Sequence, residues 1–370
     1  MKKKLAMILA ASVGCAATIS IAQEVNWGER PTFHEDGTVT VPSFDLPPSV
    51  FSSEEAKALQ KMRARMAGAM PTEMPKDIAT SRKQLDKMLA PQLEQMRAMY
   101  DVEVSEHVLD GVPVRLVKPA DGVYDRDRVL INLHGGAFSV CWESCSLLES
   151  IPIAALGDFE VVSVNYRMAP ENRHPAGVED VAKVYAQLLR YHEPDHIGIY
   201  GCSAGGALTA QTGAWLPAHG LPQAGALGIF GAGGVRFRAG DSAYVAAYID
   251  GSFPPPPDRG DPTKDWDITR GYFAGADMEG ADISPALHQD VLKKFPPTLL
   301  LTGTRAMDMS PAIYTNSMLM KAGVETDLIV AEAMDHCYIY QSSLPEAQDA
   351  YQAIIGFFDE HLGRKSTEGE

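Results

Sequence analysis

From residue 23 to the C-terminus the chain lacks any apolar run of the roughly 20 residues that a membrane-spanning helix needs, so nothing in that stretch reads as a span. It is poor in cysteine, with 5 among 370 residues. Cys141, Cys145, Cys202 and Cys337 do not have the paired spacing of metal ligands. A disulfide scaffold does not suit a chain this long, so Cys202 and Cys337 read as packing residues in a partly buried place. Only Cys141 and Cys145 are near enough for a local disulfide, and only if the compartment is oxidising. Positive charge is scarce too: 32 Lys and Arg face 48 Asp and Glu, a net charge of −16. Such a surface repels phosphate backbones and excludes nucleic acid as an expected partner. Internal repeats are absent.

What is present begins with Lys2-Lys3-Lys4 and an apolar stretch over residues 5–22, closed by the small residues Ser20 and Ala22. That order reads as a signal peptide over residues 1–22, cut before Gln23, which implies export to a periplasm or medium. Cleavage removes three lysines and no acid, taking −16 to −19. Two other readings compete with it. The stretch is barely long enough for an uncleaved anchor, and lipidation at Cys15 conflicts with Ser12, where a branched apolar residue is usual.

Residues 23–100 read as N-terminal helices of a cap. Ser52-Ser53-Glu54-Glu55 has the spacing of a capping box, followed by Leu59, Met62, Met66 and Met70 on one helical face and a stop at Pro71. A second helix is expected over 76–99, kinked or restarted at Pro91. From Asp101 the period changes. Strands are expected at 102–109, 112–118, 128–133, 160–166, 197–201, 225–230, 298–303 and 327–332, and helices at 176–191, 204–216, 311–322 and 346–362. Asp110-Gly111 joins the first pair as a hairpin; the rest alternates strand and helix, which calls for a mainly parallel sheet with helices on both faces. This predicts an α/β fold of the α/β-hydrolase type. Its core covers 101–235 and 286–370, with a disordered tail over 363–370. Residues 236–285, rich in Gly, Asp, Pro and aromatics, read as an irregular insertion after the sixth strand that completes the cap.

The apolar run Ile197-Gly198-Ile199-Tyr200 leads into Gly201-Cys202-Ser203-Ala204-Gly205 and then a helical sequence. A serine on a sharp strand-to-helix turn has an exposed hydroxyl, and flanking glycines relieve the crowding, so Ser203 is a candidate nucleophile. Upstream, Val129-Leu130-Ile131-Asn132-Leu133 runs into His134-Gly135-Gly136-Ala137-Phe138. Adjacent glycines let main-chain amides face a pocket, so Gly135, Gly136 and Ala204 are candidate donors to an oxyanion, with His134 supporting the loop.

These motifs resemble the hormone-sensitive-lipase-like family of α/β-hydrolases, which carries His-Gly-Gly-Gly upstream of Gly-x-Ser-Ala-Gly-Gly. Tyr166-Arg167-Met168-Ala169-Pro170-Glu171 is similar to the family's Tyr-Arg-Leu-Ala-Pro-Glu segment, and the likeness covers about residues 100–365. It departs from the family at Ala137, where a third Gly is usual, and at Cys202, where Asp is common. The resemblance implies a carboxylesterase or lactone hydrolase that acts on a small-molecule ester without metal or organic cofactor.

A serine needs a base, and the base an orienting acid, in the chain order Ser, acid, His. His336 follows the last expected strand. The family's Asp position after Gly303-Thr304-Arg305 holds Ala306, leaving Asp308 as the expected acid and Asp335 as its rival. Two other functions stay open: a non-catalytic binder on the same fold, and an amidase or peptidase with the same triad. An edge strand offers a surface for a homodimer.

Overall fold

The computed structural model describes residues 28–66, 77–249 and 267–363. The expected signal peptide, the helix end near Met70 and Pro71, the Pro254–Pro257 run and residues 364–370 lie outside the described residues. The chain divides into two units, residues 1–47 and 48–370. In the first, β1 (Thr32–Phe33) pairs antiparallel with β2 (Val39–Thr40). All else described here belongs to the second.

Helix α1 (Glu54–Met66) starts differently from the expected capping box. Its cap is Ser53, whose Oγ accepts from Ala56 N at 3.0 Å. The carboxylate comes from Glu346, which accepts from Ser53 N at 2.8 Å and Oγ at 2.9 Å. A capping box satisfies two orphan donors with a Glu three residues on; here a residue 293 positions away does the same work. Of the expected methionine stripe, Leu59 is half-buried and packs against the core while Met62 is exposed; the Met66 side chain and Met70 lie outside the described residues. Helix α2 (Ile78–Met99) begins at Asp77, which accepts from Thr80 N at 2.7 Å, and continues through Pro91 without a restart.

Strands β3 (Val102–Leu109) and β4 (Val112–Pro119) form the expected hairpin. Asp110 and Gly111 both take positive φ, 45° and 79°, as a tight two-residue hairpin turn requires. Then follow β5 (Asp125–Leu133), α3 (Trp142–Gly157), β6 (Phe159–Val164), α4 (Ala176–Leu188), β7 (Ile197–Cys202), α5 (Ala204–Ala218) and β8 (Ala226–Phe230). After the insertion come α7 (Gln289–Leu292), β9 (Thr298–Gly303), α8 (Met309–Ala322), β10 (Thr326–Ala331) and α9 (Pro345–His361). The eight-stranded sheet runs β10-β9-β8-β7-β5-β6-β4-β3; the β3–β4 and β4–β6 pairings are antiparallel and the others parallel. This is the α/β-hydrolase fold anticipated from the strand–helix alternation.

Because successive strand residues face opposite sides, β5 sends Val129, Ile131 and Leu133 into one core and Leu130 into the other. The first core packs β5 and β7 against Val178 and Val181 of α4 and Leu208 of α5. The second packs Leu148 and Ile151 of α3 with Met96 of α2 and Ile354 and Phe358 of α9. These side chains are almost fully buried, and each such burial stabilises by about 1.5–3 kcal/mol. No helix among the described residues is long and apolar enough to cross a membrane.

The insertion is less irregular than its composition suggests. Residues 236–285 contain α6 (Ser242–Ile249), whose start is tied to α8: Ser310 N donates to Ser242 Oγ at 2.9 Å and Ser242 N to Ser310 Oγ at 3.0 Å. Tyr272 is fully buried and stacks on Phe138 with ring centroids 4.6 Å apart. From α2, Arg82 donates to Ser139 O at 2.9 Å and Ala169 O at 3.1 Å, and pairs with Glu171 at 2.8 Å. Both segments assigned to a cap thus hold the loop that follows β5.

Candidate active site

In an open α/β sheet, ligands sit beyond the carboxyl ends of the strands, where strand order reverses. Here the reversal lies at β5, flanked by β6 and β7, and both main motifs leave the sheet there. Ser203 separates β7 from α5 and holds φ 61°, ψ −122°, a backbone state costly for a residue with a Cβ. Its N–H is held by Phe230 O at 2.9 Å. Gly205 lets the turn close, because a Cβ there would stand 1.6 Å from Leu133 O. The turn thereby sets the serine just beyond the carboxyl end of the central strand β7.

His336 lies in the loop after β10. Its Nε2 is 2.9 Å from Ser203 Oγ and its Nδ1 is 2.6 Å from Asp308 Oδ1. Asp308 is fully buried at the start of α8, and its Oδ2 accepts from Thr302 Oγ1 at 2.5 Å. The two loops are zipped together: Arg305 N donates to Met334 O at 3.0 Å, and Ala333 N to Thr304 Oγ1 at 2.7 Å. The rival Asp335 is turned away and pairs with Arg63 of α1. The Phe237 ring meets the His336 ring edge-on at 5.2 Å.

On the other side, His134 is fully buried, and burial lowers its pKa to about 4, so it is neutral. Its Nδ1 lies 2.6 Å from Gly135 O, its ring stacks on Tyr166 at 4.5 Å, and Tyr166 OH donates to His134 O at 2.7 Å. The loop then turns sharply, with Ser139 N and Val140 N both donating to Gly136 O at 3.0 Å. Gly136 has φ 113°, and a Cβ on it would stand 2.0 Å from Val140 O.

Two features differ from the sequence reading. Gly135, expected among the oxyanion donors, directs its N–H to Glu149 Oε1 at 2.8 Å. Among the described residues, the N–H groups of Gly136, Ala137 and Ala204 make no such bond, so the unengaged donors on this loop begin one residue later than expected. Glu149 itself carries no motif; only its position on a helix that is otherwise apolar at that point marks it.

The second difference is covalent. Cys202 and Cys337, expected to pack as free thiols, form a disulfide with Cα atoms 6.2 Å apart. They are 135 positions apart, and the sheet brings them together because one precedes Ser203 and the other follows His336. That shared adjacency to the candidate residues was the available signal. Cys141 and Cys145 are also bonded, with Cα atoms 5.3 Å apart.

A family model described as alpha/beta hydrolase fold matches residues 130–340, more than half of the chain. The chain belongs to the hormone-sensitive-lipase-like family of α/β-hydrolases. Among solved structures, this family member is similar to an esterase from the bacterial hormone-sensitive lipase family, with TM-score 0.72 and 26% identity over 84% of this chain and 99% of that one. It is similar to the versiconal hemiacetal acetate esterase of Dothistroma septosporum, 26% identical over 67% of this chain and 77% of that protein. It also resembles the arylacetamide deacetylase of Oryctolagus cuniculus, 36% identical over 30% of each. Against that deacetylase the chain spans under a third of the relative's length.

Proposed function

We propose that the protein is a serine hydrolase that cleaves small carboxylic esters through an acyl-enzyme. The observation that carries this reading is the hydrogen-bonded series from Ser203 Oγ through both His336 nitrogens to Asp308, at 2.9 and 2.6 Å. Ser203 Oγ attacks the ester carbonyl carbon as His336 Nε2 takes its proton. Asp308 accepts from Nδ1, which fixes the tautomer that leaves Nε2 able to accept, and its charge stabilises the imidazolium that follows. The N–H groups of Gly136, Ala137 and Ala204 hold the tetrahedral oxygen, where one such donor is worth about 3–4 kcal/mol of barrier. His336 then protonates the leaving alcohol. Water repeats the sequence on the acyl-enzyme and releases the acid.

The acyl group we assign is short, an acetyl-type group, as in the names of the fungal acetate esterases. The two disulfides fit the export inferred from the N-terminal segment, since such bonds persist in oxidising compartments. The test is Ser203→Ala, with turnover of p-nitrophenyl acetate and labelling by a fluorophosphonate as readouts. Loss of both with folding intact is expected; wild-type turnover in the variant would remove Ser203 from the mechanism. A native protein that neither turns over the ester nor takes the fluorophosphonate label would favour a binding role on the same fold.

A further inference from the structure

Glu149 accepts from main-chain N–H groups of both motifs, Gly135 and Cys202, and the mechanism above does not use it. It lies on α3, is 2% exposed, and four donors converge on its two oxygens. Oε1 accepts from Gly135 N at 2.8 Å and Tyr340 OH at 2.6 Å; Oε2 accepts from Asn132 Nδ2 at 2.9 Å and Cys202 N at 3.1 Å. Gly135 immediately precedes the first unengaged oxyanion donor, Cys202 immediately precedes Ser203, and Tyr340 follows His336 by four positions. Ser163 Oγ in turn donates to Asn132 Oδ1 at 2.7 Å, which orients that amide toward the carboxylate.

We infer that Glu149 is a positioning residue whose carboxylate clamps the oxyanion loop, the nucleophile turn and the histidine loop at one spacing; the inference rests on the serine-hydrolase reading. Burying a carboxylate is costly unless it is fully hydrogen-bonded, so this arrangement persists only with its donors in place. An error of about 1 Å in such a constellation costs about 10²-fold in rate, so the clamp acts on the transition state and leaves ground-state binding nearly untouched.

The experiment uses Glu149→Gln in the full chain. Rates are normalised to active sites titrated with a fluorophosphonate, and affinity is measured for a trifluoromethyl ketone whose adduct carries the oxyanion. A glutamine keeps the shape but puts an NH2 donor group in place of one oxygen that accepts two of the four bonds. The expected result is a fall of at least tenfold in kcat per site, KM within twofold, and an equal loss of ketone affinity. A kcat per site and ketone affinity within twofold of wild type overturn the inference. If this variant does not fold, Tyr340→Phe removes one of the four bonds, and a parallel threefold fall in both quantities is expected; no change in either overturns the inference. A native protein that no fluorophosphonate titrates overturns the serine-hydrolase reading and this inference with it. Normal titration of the native protein together with unaltered Glu149→Gln kinetics defeats this inference alone.

Discussion

Asp308 Oδ1 stands 2.6 Å from His336 Nδ1, while Asp335, the histidine's immediate neighbour in sequence, faces Arg63. Adjacent residues diverge along a loop, so the carboxylate nearer in sequence is not the one that meets the imidazole. Asp308→Asn is therefore expected to lower kcat/KM on p-nitrophenyl acetate by about 10⁴, the loss that follows when the base is held in the wrong tautomer. Asp335→Asn is expected to change it less than tenfold. Steady-state kinetics on both variants decide, and a larger loss in the second reverses the assignment.

The Cys202–Cys337 disulfide joins positions 135 apart in sequence, one at the serine turn and one at the histidine loop. Restricting a loop that long in the unfolded chain stabilises by roughly 4–5 kcal/mol in the chain-entropy description. The Cys202→Ala/Cys337→Ala pair is expected to unfold at lower denaturant with its circular dichroism spectrum unchanged. Urea titration of wild type and variant, both non-reduced, measures the difference, and coincident midpoints contradict the prediction.

Gly136 holds φ 113° with Val140 O where a Cβ would stand. Gly136→Ala forces the loop to move and carries the neighbouring amides with it. A loss of about 10²–10³ in kcat is expected, the scale of one displaced oxyanion donor. Active-site titration should still count the serine, since Ser203 and His336 are untouched. A variant with wild-type kcat would place the oxyanion elsewhere.

Burial raises the pKa of Glu149 from 4.5 to about 7, against the lowering effect of its hydrogen bonds from Tyr340, Gly135, Asn132 and Cys202. The titratable groups around it are Tyr166, Tyr200 and Tyr340, all raised above 10 by burial, so they stay neutral through that window. With a folded pKa above the unfolded one, the folded state holds the proton longer. This contribution to stability is fully present below pH 4.5 and is lost as pH rises toward 7. Unfolding free energies measured across that range are expected to fall less steeply with pH in Glu149→Gln than in wild type. Equal slopes would show that this carboxyl does not govern the change.

Much of the architecture was legible because it rests on local periodicity. The strand that ends at Leu133 and the one that ends at Cys202 were readable from apolar runs bounded by glycine, and Asp110-Gly111 from its turn chemistry. Ser203, His336 and Asp308 followed from chain order, since each sits just past the carboxyl end of a recognisable strand. Helix α6 was missed because Pro and Gly dominate the composition around it, and its start is held by Ser310 from a distant segment.

The residue string determined most of the elements, their order and the candidates for the reacting groups, because propensity and spacing act over a few residues. Only the folded sheet decided which main-chain amides were left unengaged, which cysteines met, and which carboxylate capped α1. Gly135 N is engaged by a glutamate 14 positions on, Cys202 by a cysteine 135 positions on, and Ser53 by a glutamate 293 positions on. Hydrogen bonds and disulfides act at contact range, and contact between such distant positions exists only once strand order has brought them together.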